Sequence, residues 1–305
     1  MKIEYGVETN MINVTSICQY MCNFSGCIII PGSDDTRAKI FSDPINGTLK
    51  SVFITIGTGE RVKYSTKSDI YIFNDKVYTS ETVPEILRSL NIEEKLKAIQ
   101  SNLKLRYGTF EEEYPEQRMA VRYLKGTEKV LEIGGNIGRN SLVIASILAS
   151  KGNSDMVVLE SNSDIYPQLK ENVDLNGLKI HVENSALSKR KLIQKGWDTI
   201  ESEVLLPGYI PVKTLTFSEL EAKYGITFDT LVLDCEGAFY YIVQDMPEIL
   251  RNIKLIIMEN DYNILETKIY LNNVLRSNGF RVDYSESGGW GPCQGNFFEV
   301  WVRTS

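Results

Sequence analysis

The chain has 305 residues, of which 43% are hydrophobic and 24% are charged, the composition of an ordinary globular protein. Its net charge of −7 argues against a nucleic-acid substrate, because proteins that bind nucleic acids usually carry a basic surplus. No apolar run approaches the roughly 18 residues of a membrane span, and the first residues lack a signal-peptide pattern. We therefore expect a cytoplasmic protein that does not enter a membrane.

Five cysteines, an odd number in a long chain, favour reduced thiols over a disulfide framework. Cys18, Cys22 and Cys27 are clustered, but their C-x3-C-x4-C spacing is not a usual zinc pattern and no histidine lies nearby. Buried core thiols are the favoured interpretation, with a metal site as the alternative.

Residues 1–80 read as a small β-rich domain. A β-branched run covers 51–56, a strand is predicted at 62–64, and 70–73 and 77–78 flank an Asn-Asp-Lys turn typical of a hairpin. From Thr82 the pattern becomes helical, with Pro84 early and Glu85 at a capping-box position. Residues 81–113 are thus predicted as a helical linker that runs on through Leu103. The N-terminal domain could drive homo-oligomerisation, hold a substrate or a partner, or cap the sheet.

Residues 114–305 alternate strand and helix. Strands are predicted at 129–133, 156–159, 179–182, 228–233, 253–258, 280–284 and 296–302. Helices are predicted at 139–148, 164–175, 238–246 and around 264–275. Continuous apolar strands that alternate with helices predict an α/β fold with a parallel sheet covered on both faces. No helix separates the last two strands, so they are predicted to pair as a hairpin.

A glycine-rich turn follows the first of these strands. Gly134, Gly135, Asn136 and Gly138 form an E-x-G-G-N-x-G pattern with Glu132, and the glycines let the backbone approach a ligand closely. An acid at this position suits a cationic amino group, as in the methionine part of S-adenosylmethionine. It would sit badly beside a pyrophosphate, which argues against a nicotinamide dehydrogenase.

Two further positions suit the rest of that cofactor. Glu160 ends the second strand, 22 residues after Gly138, where an acid holds the hydroxyls of a ribose. Ser185 and Ala186 follow the third strand and are candidates to line an adenine, or else are ordinary loop residues.

The fourth strand runs into TLVLDCEGAFYYIV at 230–243, preceded by VKTLTFSEL at 212–220. Together with EIGGNIG, VLESN, ALS and IIMEN, these motifs resemble the FkbM family of methyltransferases over residues 114–302. One departure is Glu132, where the family commonly has an aspartate; residues 1–110 resemble no family.

The resemblance implies a class I methyltransferase (Rossmann-like) fold: seven mostly parallel strands, with one antiparallel strand at the end. It implies S-adenosylmethionine as cofactor and a hydroxyl acceptor, often on a sugar or glycan. The cofactor-binding positions are then Glu132, Gly134, Gly135, Asn136, Gly138, Glu160, Ser161, Ser185, Ala186 and Asp234. Asp234 and Glu236 form the acidic pair beside the transferred methyl group, and a strand period of two predicts that they share a side.

The fifth strand ends at Glu259 and Asn260, next to the strand that ends at Asp234. These three oxygen-bearing side chains are candidate ligands of Mg or Mn, as in metal-dependent catechol-type O-methyltransferases. Glu259 is also a catalytic candidate. The alternative is hydrogen bonding to the acceptor by the same residues without a metal.

The surroundings of these acids leave several interpretations open. Trp197 and Trp290 are candidates to contact the acceptor or to anchor loops, one of Tyr240 and Tyr241 is expected to face the site, and His181 is expected to be structural. An RNA ribose methyltransferase is the main rival function, but no lysine lies at the ends of the fourth and fifth strands. A catalytically silent module with a glycan-binding or partner-binding N-terminal domain is the other.

Overall fold

The computed structural model describes residues 1–24, 26–65 and 67–304. It separates into two compact units, Met1–Lys95 and Leu96–Ser305. Within the described residues, every helix falls short of the length and apolar character that a membrane crossing needs.

In the described part of the first unit, eight strands form two antiparallel four-stranded sheets, ordered β2-β1-β5-β6 and β3-β4-β7-β8. The strands are β1 (Lys2–Val7), β2 (Asn10–Asn13), β3 (Asn23–Phe24), β4 (Cys27–Ile30), β5 (Ser51–Thr55), β6 (Val62–Tyr64), β7 (Ile70–Phe73) and β8 (Lys76–Thr79). As predicted, β7 and β8 form a hairpin.

Two short helices, α1 (Thr15–Met21) and α2 (Asp34–Phe41), interrupt these strands and were not predicted. The cap of α2 is a readable signal, because the Ser33 side chain accepts a hydrogen bond from the Thr36 amide and two aspartates occupy the first turn. Helix α3 (Glu85–Gln100) follows β8. The helical segment predicted from Thr82 through Leu103 is therefore too long, because the helix begins after Thr82 and ends before Leu103.

The clustered cysteines are core residues. Cys18, Cys22 and Cys27 are all buried free thiols, as predicted. Cys18 and Cys22 pack among aliphatic side chains of the first unit. Small polarizable side chains fill such gaps well, so packing accounts for them.

The second unit contains a seven-stranded sheet of order β11-β10-β9-β17-β18-β20-β19. The second unit also has five strands, β12 to β16, that lie in an insertion outside this sheet. In chain order the strands of the unit are β9 (Val130–Ile133), β10 (Met156–Leu159), β11 (His181–Glu183), β12 (Ala186–Leu187), β13 (Leu192–Lys195), β14 (Asp198–Glu201), β15 (Ile210–Val212), β16 (Thr214–Leu215), β17 (Thr230–Leu233), β18 (Leu255–Glu259), β19 (Phe280–Glu286) and β20 (Phe298–Arg303). Strand β20 runs antiparallel to β18 and β19, and the other pairs are parallel. The antiparallel strand comes last in the chain, but it lies inside the edge of the sheet.

Helices cover both faces of this sheet. They are α4 (Tyr114–Tyr123), α5 (Arg139–Ala149), α6 (Tyr166–Leu175), α7 (Phe217–Tyr224), α8 (Phe239–Asp245) and α9 (Leu265–Ser277), with 3-10 turns at Pro247–Leu250 and Gly291–Asn296. The central strands β9, β10 and β17 are buried at every position, and two apolar clusters flank the sheet. Burial on both faces explains why these strands read as continuous apolar runs.

The third strand is shorter than predicted. β11 covers only His181–Glu183, and the predicted start at Lys179 lies before it. His181 is exposed, with its ring centroid 4.6 Å from that of Tyr224. This stacking is consistent with the structural role expected of His181.

An insertion between β11 and β17 forms its own small sheets. Strands β12 and β16 pair in parallel, and β13 lies between β14 and β15 in an antiparallel three-stranded sheet. We call this three-stranded sheet the insertion sheet.

Candidate active site

A cavity of about 980 Å³ lies where the loops after β9, β10, β11, β17 and β18 meet. In an open α/β sheet, ligands bind in the crevice outside the carboxyl ends of the strands. The volume is at the upper end of the range for small-ligand sites. It therefore offers space for a nucleoside cofactor together with a second molecule.

The glycine-rich loop reaches this cavity through Gly134 and Asn136. Gly134 has φ +90°, and a Cβ there would lie 1.6 Å from the carbonyl oxygen of Asp234. A side chain is thus excluded both by the backbone conformation and by the neighbouring loop. The close approach brings the loop after β9 against the loop after β17.

The other two glycines of the turn, Gly135 and Gly138, lie against side chains of the sheet and of α6. A Cβ at Gly135 would lie 2.3 Å from Cγ1 of Val158, and one at Gly138 would lie 2.6 Å from Cδ1 of Leu169. Both positions were predicted to bind the cofactor. The described structure shows that they let α5 begin close to the sheet and to α6, and their contact with the cofactor stays a prediction.

Glu132 lies deeper than predicted. It is 2% exposed on β9 and borders a small secondary cavity instead of the main one. Its Oε1 accepts a hydrogen bond from Nδ2 of Asn140 (3.4 Å), and its Oε2 is buried without a partner among the described residues. Burial, reinforced by the negative charge of Glu113, raises the pKa of Glu132 to about 8.

This raised pKa predicts a pH-dependent stability. Because the folded protein holds the Glu132 proton more tightly than the unfolded chain, this stability is fully present below about pH 4.5 and is lost as the pH rises to about 8. The substitution Glu132→Gln removes this loss. We expect the stability of the variant relative to the wild type to rise by about 4 kcal/mol between pH 4 and pH 8.5.

Urea unfolding at the two pH values measures this difference. Tryptophan fluorescence reports on the second unit, since all three tryptophans lie within it. A difference between variant and wild type that does not change with pH would contradict the prediction.

Glu160 follows β10 and borders the cavity. It is 5% exposed, and its carboxylate accepts hydrogen bonds from the backbone amides of Asn136 (2.8 Å) and Asn162 (2.7 Å). Burial raises its pKa, while these amides oppose the shift. Each carboxylate oxygen keeps a further lone pair that can accept a hydroxyl of a ligand.

The remaining predicted cofactor positions also reach the cavity. Ser161, Ser185 and Ala186 all border it. The Ser185 hydroxyl is buried and has no partner among the described residues. An unsatisfied buried hydroxyl beside a cavity is available to a ligand.

Three predicted acids lie at the carboxyl ends of the neighbouring strands β17 and β18. Asp234 and Glu236 come after β17, and Glu259 is the last residue of β18; all three border the cavity. The expectation that Asp234 and Glu236 share a side through strand periodicity was wrong, because β17 ends at Leu233 and Glu236 has φ +50°. They reach the same cavity through the turn instead.

Among the cavity acids that the sequence did not mark, three lie close to the predicted ones along the strands and α4. Glu113 and Glu116 lie at the start of α4, and Asp261 lies two residues beyond β18. Glu116 is 5% exposed, and its Oε2 is buried without a hydrogen-bond partner among the described residues. No motif marks Glu113 and Glu116, because they lie on a helix that precedes β9, the first strand of the seven-stranded sheet in chain order.

One carboxylate oxygen from each of Glu116, Asp234 and Glu259 lies within 4.8 Å of the other two. We call these three residues the carboxylate triad. Asn260, the predicted third metal ligand, is fully buried and donates its Nδ2 to the Asn296 carbonyl oxygen (2.6 Å). Its Oδ1 is buried without a hydrogen-bond partner among the described residues, so Asn260 stays a predicted ligand beside the triad.

Burial and mutual repulsion favour the protonated forms of Asp234, Glu259 and Asp261. Burial raises the pKa of Asp234 well above its usual value, with Glu113 and Asp261 adding to the shift. Burial also raises the pKa of Glu259 strongly, and that of Asp261 to about 7. A cation that binds here would replace these protons.

Aromatic side chains and the insertion sheet form the opposite wall. Trp197, Tyr241 and Trp290 border the cavity and are about half exposed. Tyr240 packs against the core instead, with its ring centroid 5.1 Å from that of Tyr241. One tyrosine of the pair thus faces the cavity, as expected.

Arg190 holds this wall in place. Its guanidinium donates to both carboxylate oxygens of Asp245 (2.6 and 2.9 Å) and to Glu201 (2.9 Å). It also lies 4.7 Å from the ring centroid of Tyr241. These contacts fasten the insertion sheet to α8, because a bidentate guanidinium–carboxylate pair fixes orientation.

No protein-family model matches the chain, and no curated protein sequence matches it. The resemblance to the FkbM family therefore remains a prediction. Solved structures do align with the chain, at low identity.

An O-methyltransferase from Bacillus cereus in complex with SAH aligns with 13% identity over 73% of this chain and 93% of its own (TM-score 0.40). A ribosomal protein L11 methylase from Lactobacillus delbrueckii subsp. bulgaricus aligns with 12% identity over 63% and 78% (TM-score 0.40). A protein of the NADB-Rossmann superfamily from Streptococcus agalactiae aligns with 14% identity over 62% and 67% (TM-score 0.40). Values this low carry no conclusion about activity.

The strand order is decisive for the fold. Numbered along the chain, the seven strands have the order 3-2-1-4-5-7-6. The first five share their order with a dinucleotide-binding sheet, whereas the antiparallel seventh strand between the fifth and the sixth distinguishes this sheet from it. The fold is that of the class I methyltransferases. The fold class predicted from the sequence is confirmed.

Proposed function

We propose that this protein is an S-adenosylmethionine-dependent methyltransferase that acts on a hydroxyl oxygen, with a sugar or glycan as acceptor. One observation carries the proposal: Gly134, Glu160 and Asp234, from loops after three adjacent strands, border a single cavity. In that order they suit the methionine end, the ribose and the transferred methyl group of the cofactor. FkbM-like motifs at the same three positions support the acceptor class.

The residues suggest how the chain would assist the transfer. Asp234 lies beside the expected sulfonium, whose positive charge favours the carboxylate over the protonated form. The carboxylate then accepts the proton of the acceptor hydroxyl as its oxygen attacks the methyl carbon. A C–O bond forms, the C–S bond breaks, and S-adenosylhomocysteine leaves. Most of the acceleration comes from holding oxygen and methyl in line.

A divalent cation such as magnesium or manganese is the second part of the proposal. The carboxylate triad fits such an ion, because it offers hard oxygen ligands and includes a buried carboxylate oxygen of Glu116 without a partner among the described residues. A bound cation would lower the pKa of an acceptor hydroxyl. Glu116, Asp234 and Glu259 would hold it. Hydrogen bonding by these residues alone is the alternative.

Manganese binding should depend on pH and on Glu116. Since burial raises the pKa values of Asp234 and Glu259, binding should release protons and tighten as the pH rises from 6 to 8. Calorimetric titration with MnCl2 in buffers of different ionisation enthalpy measures both quantities. We expect Glu116→Gln to weaken binding at least about tenfold.

Glu112→Gln is the matched control, because Glu112 borders the cavity but pairs with Arg139 outside the triad. We expect it to bind manganese as the wild type does. Equal manganese affinity of the two variants, or an affinity that is independent of pH, would contradict a metal site at the carboxylate triad.

The activity itself is tested by incubating the full chain with methyl-labelled S-adenosylmethionine and a panel of sugars and oligosaccharides. Mass spectrometry of the product then locates the methyl group. A methyl ether on a sugar oxygen is the expected product. Transfer to nitrogen or carbon would overturn the hydroxyl assignment, and transfer to RNA ribose would favour the rival function.

A further inference from the structure

The cavity is far more acidic than the proposed reaction requires. Among the described residues that border it, eleven carry a carboxylate and two, Arg139 and Arg190, carry a guanidinium. Arg139 pairs with Glu112 and Glu113, and Arg190 pairs with Asp245 and Glu201. Both cationic side chains are thus engaged, and no bordering cation in the described structure is left to bind an anionic acceptor.

Seven carboxylates remain without an ion-pair partner among the described residues. The proposed function assigns four of them: Glu160 to the ribose, and the carboxylate triad to the methyl-transfer centre. Asp198 and Asp261 have no part in it, and Glu236, which the family resemblance places in the acidic pair beside the methyl group, takes no step in the proposed transfer. Carboxylates without an ion-pair partner favour a cationic ligand and disfavour an anionic one.

The wall beside these acids points to the same kind of ligand. Trp290 is 45% exposed and presents ring surface to the cavity, whereas one face of the 51% exposed Tyr241 already lies against the Arg190 guanidinium. The face of an aromatic ring attracts a cation, and tryptophan does so most strongly. Aromatic rings beside unpaired carboxylates are the chemistry that recognises an ammonium group.

A buried amide supplies an independent observation on the insertion sheet. Gln194 borders the cavity and is 5% exposed, yet its Oε1 has no hydrogen-bond partner among the described residues. Buried polar atoms are seldom left without a partner. A ligand with N–H or O–H donors would satisfy it, whereas a phosphate or carboxylate would not.

We propose that the acceptor carries a protonated amine in addition to its hydroxyl groups, and that Glu236, Asp261 and the aromatic wall bind this amine. The inference rests on the proposed function, since it places the amine beside the methyl-transfer centre. It selects an aminated, polyhydroxylated acceptor such as an amino sugar. It excludes phosphorylated sugars, uronic acids and RNA.

Three matched trisaccharides test the proposal on the full chain. They are the trimer of glucosamine, its fully N-acetylated counterpart, and the trimer of galacturonic acid, which are cationic, neutral and anionic. The protein is first titrated with S-adenosylhomocysteine by calorimetry, and the saturated protein is then titrated with each sugar. Failure of the first titration would count against the proposed function. A failure confined to the second would count against the amine alone.

We expect the glucosamine trimer to bind at least about tenfold more tightly than its acetylated counterpart, the difference that one charge-assisted hydrogen bond makes. The galacturonic acid trimer should not bind measurably. Raising the salt concentration should reduce the preference, because salt screens the exposed Glu236 carboxylate.

Two variants separate the amine site from general charge. The double variant Glu236→Gln with Asp261→Asn should lose the tenfold preference while it keeps S-adenosylhomocysteine affinity. Glu203→Gln, on an exposed residue that pairs with Lys191 away from the cavity, should retain the preference. Equal binding of the first two trimers, tighter binding of the acidic trimer, or no binding of the glucosamine trimer would each overturn the proposal.

Discussion

Replacing Gly134 by alanine is expected to abolish cofactor binding and to lower the free energy of unfolding of the second unit by about 3 kcal/mol or more. The new Cβ would lie 1.6 Å from the Asp234 carbonyl oxygen, so one of the two loops must move. The φ of +90° adds backbone strain for any residue with a side chain. Both loops border the cavity, so the movement would disturb the cofactor site directly.

Gly177→Ala is the matched control. Gly177 also has a positive φ of +63°, but a Cβ there would meet nothing within 4 Å. It should cost only about 1 kcal/mol, the strain of a left-handed residue alone. Urea unfolding followed by tryptophan fluorescence compares the two variants. Equal losses of unfolding free energy in the two variants would mean that the contact between the loops after β9 and β17 does not contribute to stability.

Replacing Glu160 by alanine should weaken S-adenosylhomocysteine binding by about 100-fold. Two hydrogen bonds from ribose hydroxyls to a carboxylate, at about 1.5 kcal/mol each, account for a loss of this size. The substitution also frees the amides of Asn136 and Asn162. Glu160→Gln keeps one acceptor oxygen, so its loss should be smaller.

Asp234→Ala separates binding from turnover. We expect this variant to bind S-adenosylhomocysteine within a few-fold of the wild type but to lose methyl transfer, because Asp234 acts on the acceptor proton. Calorimetry measures affinity, and the unfolding midpoint confirms that each variant is folded. If Asp234→Ala lost cofactor binding and Glu160→Ala kept it, the proposed roles of these two residues would be wrong.

The sequence predicts the second unit well because its signals are local. Continuous apolar strands, helices with one apolar face and the E-x-G-G-N-x-G turn each lie within a short window, and together they specify a parallel sheet with a cavity at its carboxyl ends. Glu160 could be predicted because its distance from the glycine turn is fixed by one helix and one strand. These elements and their order were confirmed.

Long-range placement explains what could not be predicted. Glu116 enters the site from α4, before the first strand of the sheet, and no local pattern links it to Asp234. The neighbour relation of β17 and β18 predicted that Asp234 and Asn260 would converge. The direction of the Asn260 side chain depends on a carbonyl group 36 residues later, at Asn296. Helices α1 and α2 were missed because neither has a strongly apolar face.

The most direct test of the central claim is calorimetric titration of the purified full chain with S-adenosylhomocysteine, with and without manganese. A cavity that binds the cofactor through the Gly134 loop and Glu160 predicts micromolar affinity from a single site, with a gain in manganese if the carboxylate triad holds the metal. A folded protein that shows no binding in either condition would contradict the account.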